Sequence, residues 1–568
     1  MLVMSDDESD IDDFNDRTIF DYESDIENLD RPIPVVREQL NSSHCSSHRP
    51  SEQNDWNMIN CDSDLTLPKF AFLGVPGLKP DCEEKMLSTT DDYEMVKKSL
   101  ELFLTDDLLN DLVEFTNIRA EEYLRKEFDN LKPHSRFRKW KDTNMSEMRR
   151  FIGILLLMGV IKKPSLSEYW STDPLISTPF FHSDCSLTRD RFLLIHHFIR
   201  FADYRNLGDE RDLLRKIRPF MNRVREIIGS TYSPTSNLTV DESLLLFKGR
   251  LVFKQYIPAK RSRFGIKIYL ICESDTGFML NFEFHSSKSD HNLFAEHASL
   301  LSLSERIVVH LSEKYLDQGY RIFADNWFSS VRLASYLLSR RTYFTGTIRS
   351  NRGVPQELST CATADKETAF ATNGSLLVSK FCDKKSSGMK TVFIIDSYNK
   401  PALHAKERII RGGERISIRK SSSMMDYNTS MGGVDRADQV LHSYDATRKS
   451  YRWFLKVGVH FIQRLCLNAF IVYRNYGGKQ SFEKYLLSCS KFLTQAENST
   501  SSVPVLGKRS SEQHFPSKIE PRGHIPCPTK RCRVCYSNGK NKRSSYVCDK
   551  CPGNPGLCSS PCFELFHT

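Results

Sequence analysis

The sequence predicts an α/β core, split by a β-rich insertion, flanked by helices and closed by a small metal-binding module. Three observations carry this expectation. The hydrophobic period changes from helical to strand-like near residue 238. Aspartates stand in two of the strands that follow, where an unpaired buried carboxylate is costly. Seven of the 16 cysteines fall between Cys527 and Cys562.

Residues 1–65 are rich in Asp, Glu, Ser and Asn, and are expected to form a disordered acidic tail. Residues 1–60 hold 15 acidic and 4 basic side chains, a net of −11, which leaves +20 for the rest of a chain whose total is +9. A basic body with an acidic tail is the asymmetry of a protein that meets a polyanion. No signal-peptide pattern opens the chain. The longest apolar run, Phe151–Ile161, has 11 residues against the roughly 20 of a membrane span, so no membrane partner is expected.

Residues 66–236 read as helical: Asp92–Phe103, Asp106–Arg125, a helix capped by Asn144 with Glu147 three residues on, then Leu187–Phe201 and Leu213–Ile228. Residues 237–349 read as strands Leu238–Phe247, Phe264–Glu273 and Phe278–His285, a helix, a strand closing at Asp325, a second helix, and the strand Tyr343–Ile348. Residues 350–424 read as a β-rich insertion with short runs at Leu376–Phe381, Thr391–Asp396 and Arg408–Arg419. Residues 425–446 return to the core with a helix after Gly432-Gly433. Residues 447–495 complete the helical part, 496–525 form a linker, and 526–568 form the Cys-rich module. No Gly-rich nucleotide-binding loop occurs, so no nucleotide cofactor is expected.

Three strands, helix, strand, helix, strand and a late helix is the order of the ribonuclease H-like fold. In that fold acids sit on the first strand, at the end of the fourth and on a late helix. Asp241, Asp325 and Asp435 hold those places, and Asp438 lies one turn beyond Asp435 on the same helix face. Taken singly, each has a plain structural alternative: an ion pair for Asp241, a helix cap for Asp325, the positive end of a helix for Asp435 and Asp438. Taken together they are the hard oxygen ligands that Mg²⁺ prefers, and a two-metal carboxylate site is a common apparatus for cutting phosphodiesters.

Residues 248–267 carry seven bases and no acid: Lys248, Arg250, Lys254, Lys260, Arg261, Arg263 and Lys267, interleaved with Phe253, Tyr256 and Phe264. Such a segment suits contact with a nucleic-acid backbone. Arg448, Lys449, Arg452 and Lys456 form a second patch, which reads equally as the charged face of a core helix.

The run Cys532-x2-Cys535-x12-Cys548-x2-Cys551-x6-Cys558-x3-Cys562-x4-His567 has the ligand types and spacing of tetrahedral Zn²⁺ sites. Seven ligands are one short of two full sites, leaving Cys527, His524 or an open position for the eighth. Residues 508–550 hold 11 Lys and Arg against 3 Asp and Glu, consistent with DNA contact or nuclear import.

The words around these residues resemble the piggyBac transposase family, most of all its derived members that end in a Cys-rich ribbon. They are Val240-Asp-Glu-Ser-Leu-Leu-Leu-Phe-Lys-Gly-Arg250, Tyr256-Ile-Pro-Ala-Lys260, Phe264-Gly-Ile-Lys267, Ala324-Asp-Asn-Trp-Phe-Ser-Ser330 and Tyr427-Asn-Thr-Ser-Met-Gly-Gly-Val-Asp-Arg-Ala-Asp-Gln439. The resemblance runs from about residue 90 to the C-terminus. It implies a nuclear, homodimeric cut-and-paste DNA transposase that binds inverted terminal repeats and inserts at TTAA. It matches Asp241, Asp325 and Asp435 to a catalytic triad holding two Mg²⁺, and Asp438 to a further acid. It also implies that the helical parts serve dimerisation and DNA binding, and that the Cys-rich module is a two-zinc cross-brace reading the transposon end. Family members that no longer transpose leave a second expectation, a catalytically silent DNA-binding or chromatin protein.

Overall fold

The computed structural model describes residues 56–89, 91–183, 186–258, 263–285, 300–385, 388–409, 415–495, 514–520, 527–551 and 553–567. By its contacts the chain divides into residues 1–56 and 57–568, and all but Trp56 of the first unit lies outside the described residues.

Among the described residues six α-helices precede the core: a short one, Pro80–Leu87, and then α1 (Asp92–Glu101), α2 (Asp106–Glu127), α3 (Met145–Val160), α4 (Arg189–Phe198) and α5 (Arg218–Thr231). Four of them begin where a side-chain oxygen can take an orphan backbone N–H. Asp91 accepts from Glu94 N, Thr105 from Leu108 N, Asn144 from Glu147 N and Thr188 from Arg191 N. The long apolar run belongs to α3, which is buried from Phe151 to Gly159 and packs against a late helix, Phe482–Gln495.

The core then alternates β and α. It comprises β1 (Asn237–Leu246), β2 (Phe264–Glu273), β3 (Met279–Phe284), α6 (Leu303–Ser312), β4 (Arg321–Ala324), α7 (Val331–Ser339) and β5 (Tyr343–Ile348). In space the order is β3–β2–β1–β4–β5. The pairs within β1–β3 are antiparallel, while β1–β4 and β4–β5 are parallel. Each parallel link is a crossover carrying a helix, as parallel pairing requires.

The segment read as an insertion prolongs this sheet. Its strands β6 (Thr368–Thr372), β7 (Leu377–Lys385) and β8 (Gly388–Asp396) follow one another antiparallel, and β8 pairs with β5. The buried guanidinium of Arg321, at the head of β4, ties this region to the core. It donates to Thr345 Oγ1 on β5 (3.0 Å), pairs with Asp396 on β8 (3.4 Å) and pairs with Asp426 on the next helix (2.6 Å).

Two sequence expectations change here. The acidic tail was carried to residue 65, but Asn57–Ile59 is a strand on the free edge of β6, with Leu65 buried in a small cluster with Phe370 and Leu377. That pairing spans some three hundred residues of chain, which no local pattern announces. The run Arg408–Arg419 is also two strands, β9 (Leu403–Ile409) and β10 (Arg415–Ser421), paired antiparallel as a separate ribbon.

Among the described residues four helices precede the Cys-rich module after this ribbon: α8 (Ser422–Ser430), α9 (Gly433–Ser443), α10 (Trp453–Asn475) and α11 (Phe482–Gln495). α10 is long and apolar enough to cross a membrane, yet 83% of its most apolar window is buried inside the protein. It is a core helix. Asn468 shows this directly, exchanging two 2.9 Å hydrogen bonds with the backbone of Met279 at the start of β3.

Candidate functional site

The parallel register aligns Val240 with Ala324, so Asp241 and Asp325, each one residue further on, stand at the same level of neighbouring strands. The third acid comes from α9, whose start is seated against the ends of β1 and β2. A Cβ added at Gly433 would lie 3.0 Å from Glu273 O and 3.3 Å from Thr239 Oγ1, so a side chain there would push its neighbours back by a few tenths of an ångström. Thr239 Oγ1 donates to Ser430 O at 2.6 Å, and Arg436 donates to the carbonyls of Ser274 and Asp275. These contacts fix the first turn of α9, which carries Asp435.

The electrostatics register the meeting. Burial pushes Asp241 up to about 7, and the negative charges of Glu242, Asp325 and Asp435 add to it, against one hydrogen bond accepted from Glu242 N. Burial also raises Asp325, with Glu242 adding, against hydrogen bonds from Trp327 N and Phe328 N and the charge of Lys267. Asp325 does not cap the helix that follows; Ser330 does, accepting from Leu333 N at 2.9 Å. Asp241 thus feels the charges of carboxylates from two distant segments in a partly buried site. That is a donor set suited to a hard divalent cation such as Mg²⁺.

Asp438 is differently placed. Its carboxylate is ion-paired with the buried guanidinium of Arg464 on α10.

The predicted bases divide into free and engaged. Lys248, Arg250, Arg263 and Lys449 are exposed. Lys260 and Arg261 lie outside the described residues. Lys254 donates to Gly249 O at 2.9 Å and lies over the Phe264 ring. Lys267 turns inward, 3.9 Å from Glu242 and 4.6 Å from the Trp327 ring centroid. The run is therefore acid-free in sequence but not in space, because β1 and β2 bring Glu242 to Lys267. Arg448 donates to Lys163 O (2.6 Å), Pro164 O and Tyr169 Oη, so its charge is engaged by the protein itself. Arg452 likewise donates to His197 O and His196 O.

In the C-terminal module two groups of four ligand atoms form, each with its atoms within 4.8 Å of one another. One is Cys532, Cys535, Cys558 and Cys562; the other is His514, Cys548, Cys551 and His567. Cys535 Sγ is 3.5 Å from Cys562 Sγ and 3.9 Å from Cys558 Sγ, beside the roughly 3.8 Å edge of a tetrahedron with 2.3 Å Zn–S bonds. His567 Nδ1 lies 2.7 Å from Phe563 O, which leaves Nε2 for a metal. Alternate ligand pairs serve alternate sites.

Among the described residues the eighth ligand is not Cys527. Cys527 is exposed and belongs to neither group, and His524 lies outside the described residues. His514 takes the place, delivered by the strand Pro516–Lys518 pairing with Tyr546–Cys548. The sequence reading puts it in the linker, since it stands 34 residues before Cys548 with no second ligand beside it. Arg464 was also overlooked, though a lone arginine inside an apolar helix is a signal of a buried counter-ion.

The sequence model of the Transposase IS4 family matches residues 97–470, and that of a DDE_Tnp_1-like zinc finger matches residues 523–568. Human PiggyBac transposable element-derived protein 3 is 23% identical over 468 residues, covering 80% of this chain and 73% of its own. Human PiggyBac transposable element-derived protein 2 is 25% identical over 425 residues, covering 70% and 68%. The cryo-EM structure of piggyBac transposase in a synaptic complex with hairpin DNA is similar with a TM-score of 0.64 at 26% identity, over 85% of this chain and 97% of that one. The chain belongs to the piggyBac transposase family.

Proposed function

We propose that the protein is a Mg²⁺-dependent cut-and-paste DNA transposase, working as a nuclear homodimer on inverted terminal repeats and inserting at TTAA. The observation that carries this reading is the meeting of Asp241, Asp325 and Asp435 from β1, the end of β4 and the first turn of α9. The sheet order β3–β2–β1–β4–β5, with acids at those positions, supports a ribonuclease H-like core.

Asp241, Asp325 and Asp435 would hold two Mg²⁺, which supply activation of water and stabilisation of charge on the attacking and leaving oxygens. Asp241 and Asp325 must be ionised to act as ligands. Their raised values mean that protons leave as positive charge arrives, so ligand binding and deprotonation are coupled. The exposed Lys248, Arg250 and Arg263, on the segment joining β1 to β2, are assigned to contact with DNA phosphates. The Cys-rich module, with two zinc-type ligand sets and a basic surface, is assigned to reading the transposon end. The solved relative carrying hairpin DNA supports DNA as the substrate.

The test is strand cleavage with Mg²⁺ on DNA carrying TTAA-flanked terminal repeats. Wild type is expected to cut, and Asp325→Ala to lose cutting by several orders of magnitude while still binding the ends. A wild type that cuts no better than Asp325→Ala overturns the enzyme reading. The names of the human relatives, transposable element-derived proteins, favour a second reading, a protein that binds DNA without cutting it. End binding without cleavage by wild type would select it.

A further inference from the structure

Arg464 lies in the middle of α10 with its side chain 1% exposed. A guanidinium so buried is tolerated only when paired and hydrogen-bonded. Its one ionic partner among the described residues is Asp438, three residues beyond Asp435 on α9. The same Nη2 donates to Ser243 Oγ at 3.0 Å, and Ser243 shares a face of β1 with Asp241, two residues away. Nε donates to His460 Nε2 at 2.9 Å, one turn back on α10. Burial and the nearby positive charges of Arg464 and Lys456 keep that imidazole neutral, so it can accept. One side chain therefore joins the two elements that carry Asp241 and Asp435.

We propose that Arg464 is a positioning residue that removes Asp438 from the metal-ligand set and uses it to fasten α9 to β1. Resting on the acid-site reading above, this makes Asp435 the only metal ligand that α9 supplies. The reason is an asymmetry of burial. The Asp438 side chain is 31% exposed and would be free to turn toward a cation, but Arg464 would then be left as a buried charge without its counter-ion. An exposed lysine in its place would yield Asp438 readily; a desolvated arginine does not.

The experiment uses the full chain carrying Zn²⁺ on its cysteine module, with Mn²⁺ as the probe. Binding is read by electron paramagnetic resonance of free Mn²⁺, and folding by thermal melting. Asp241→Asn and Asp435→Asn are expected to abolish tight binding. Arg464→Met and Asp438→Leu, each alone, should weaken it by roughly ten- to a hundredfold, as loss of residues supporting a ligand does. The double variant Arg464→Met/Asp438→Leu should recover most of the lost affinity, because an apolar pair can replace a buried ion pair of similar volume. Arg464→Lys, which keeps the charge without the fork, should fold and bind with intermediate affinity.

A double variant as weak as Asp435→Asn makes Asp438 a ligand and overturns the proposal. So does Mn²⁺ affinity unchanged by Arg464→Met. A wild type that binds no Mn²⁺, or an Asp241→Asn variant that binds it fully, brings down the acid-site reading and the proposal with it.

Discussion

The core and the Cys-rich module are built in opposite senses. In the core, the fold comes first and the acid cluster is a consequence. Asp241, Asp325 and Asp435 are delivered by strand register and helix seating, and the protein folds despite the negative charges that Asp325 and Asp435 set against Asp241. In the module the ligands come first. Its buried cluster is Cys548, Leu557 and Phe563, with Val534, Cys551 and Phe566 against it, and two of those six are themselves ligands. So small a core cannot hold a fold unaided. The first region trades stability for a site; the second obtains stability from one.

The largest expected effect breaks the comparison at the module. Removing Zn²⁺ by chelation, or replacing Cys548 with Ser, withdraws binding free energy of order 10 kcal/mol and should unfold the module. Hydrogen exchange should then show lost protection at Tyr546–Cys548 and Arg533–Ser537 while β1 and β4 keep theirs. Equal loss in the core would mean that the two regions fold as one.

The next effect probes the cost of the acid cluster. The folded value of Asp241, about 7, is raised above its ordinary 3.8. Between these values the folded chain keeps a proton that the unfolded chain has released. The stability from this group is therefore complete below about pH 4 and lost as pH rises through about 7. Without divalent cations, Asp241→Asn should be more stable than wild type at pH 8, by at most ~4 kcal/mol. Near pH 4 the two should converge. Denaturant titrations at both pH values measure it, and adding Mg²⁺ should restore stability to wild type only.

The smallest effect sharpens the contrast by touching structure without ligands. Ser330→Ala removes the N-cap of α7, just after Asp325, and a hydrogen bond to the buried Glu305. The expected loss is about 1–2 kcal/mol in the melting of the core. A loss in the module's melting would contradict the independence of the two regions.

The two regions also differed in how far the sequence revealed them. Local patterns served the core well: Phe264–Glu273 and Tyr343–Ile348 match the expected strands residue for residue. Contacts between distant segments were less accessible. The strand Asn57–Ile59 lies among polar residues and makes sense only beside β6. Lys267 looked unpaired because its partner, Glu242, is on another strand. Cysteine spacing disclosed seven module ligands, since CxxC pairs are local. His514 has no local partner and needed the strand pairing that delivers it. Asp438 was legible as an acid on the right helix face, but its pairing with Arg464 depends on how α9 and α10 pack.

Arg321 gives β4 a mechanical role. The strand is four residues long, with Arg321 at its head and Asp325 directly after its tail. The guanidinium grips Asp396 on β8 and Asp426 on α8. The strands beyond β5 are thus tied by ion pairs to a short, doubly hydrogen-bonded strand whose far end carries a carboxylate. Packed interiors have low compressibility, so such a strand transmits displacement instead of absorbing it. The region beyond β5 and the acid cluster are joined as handle and tip.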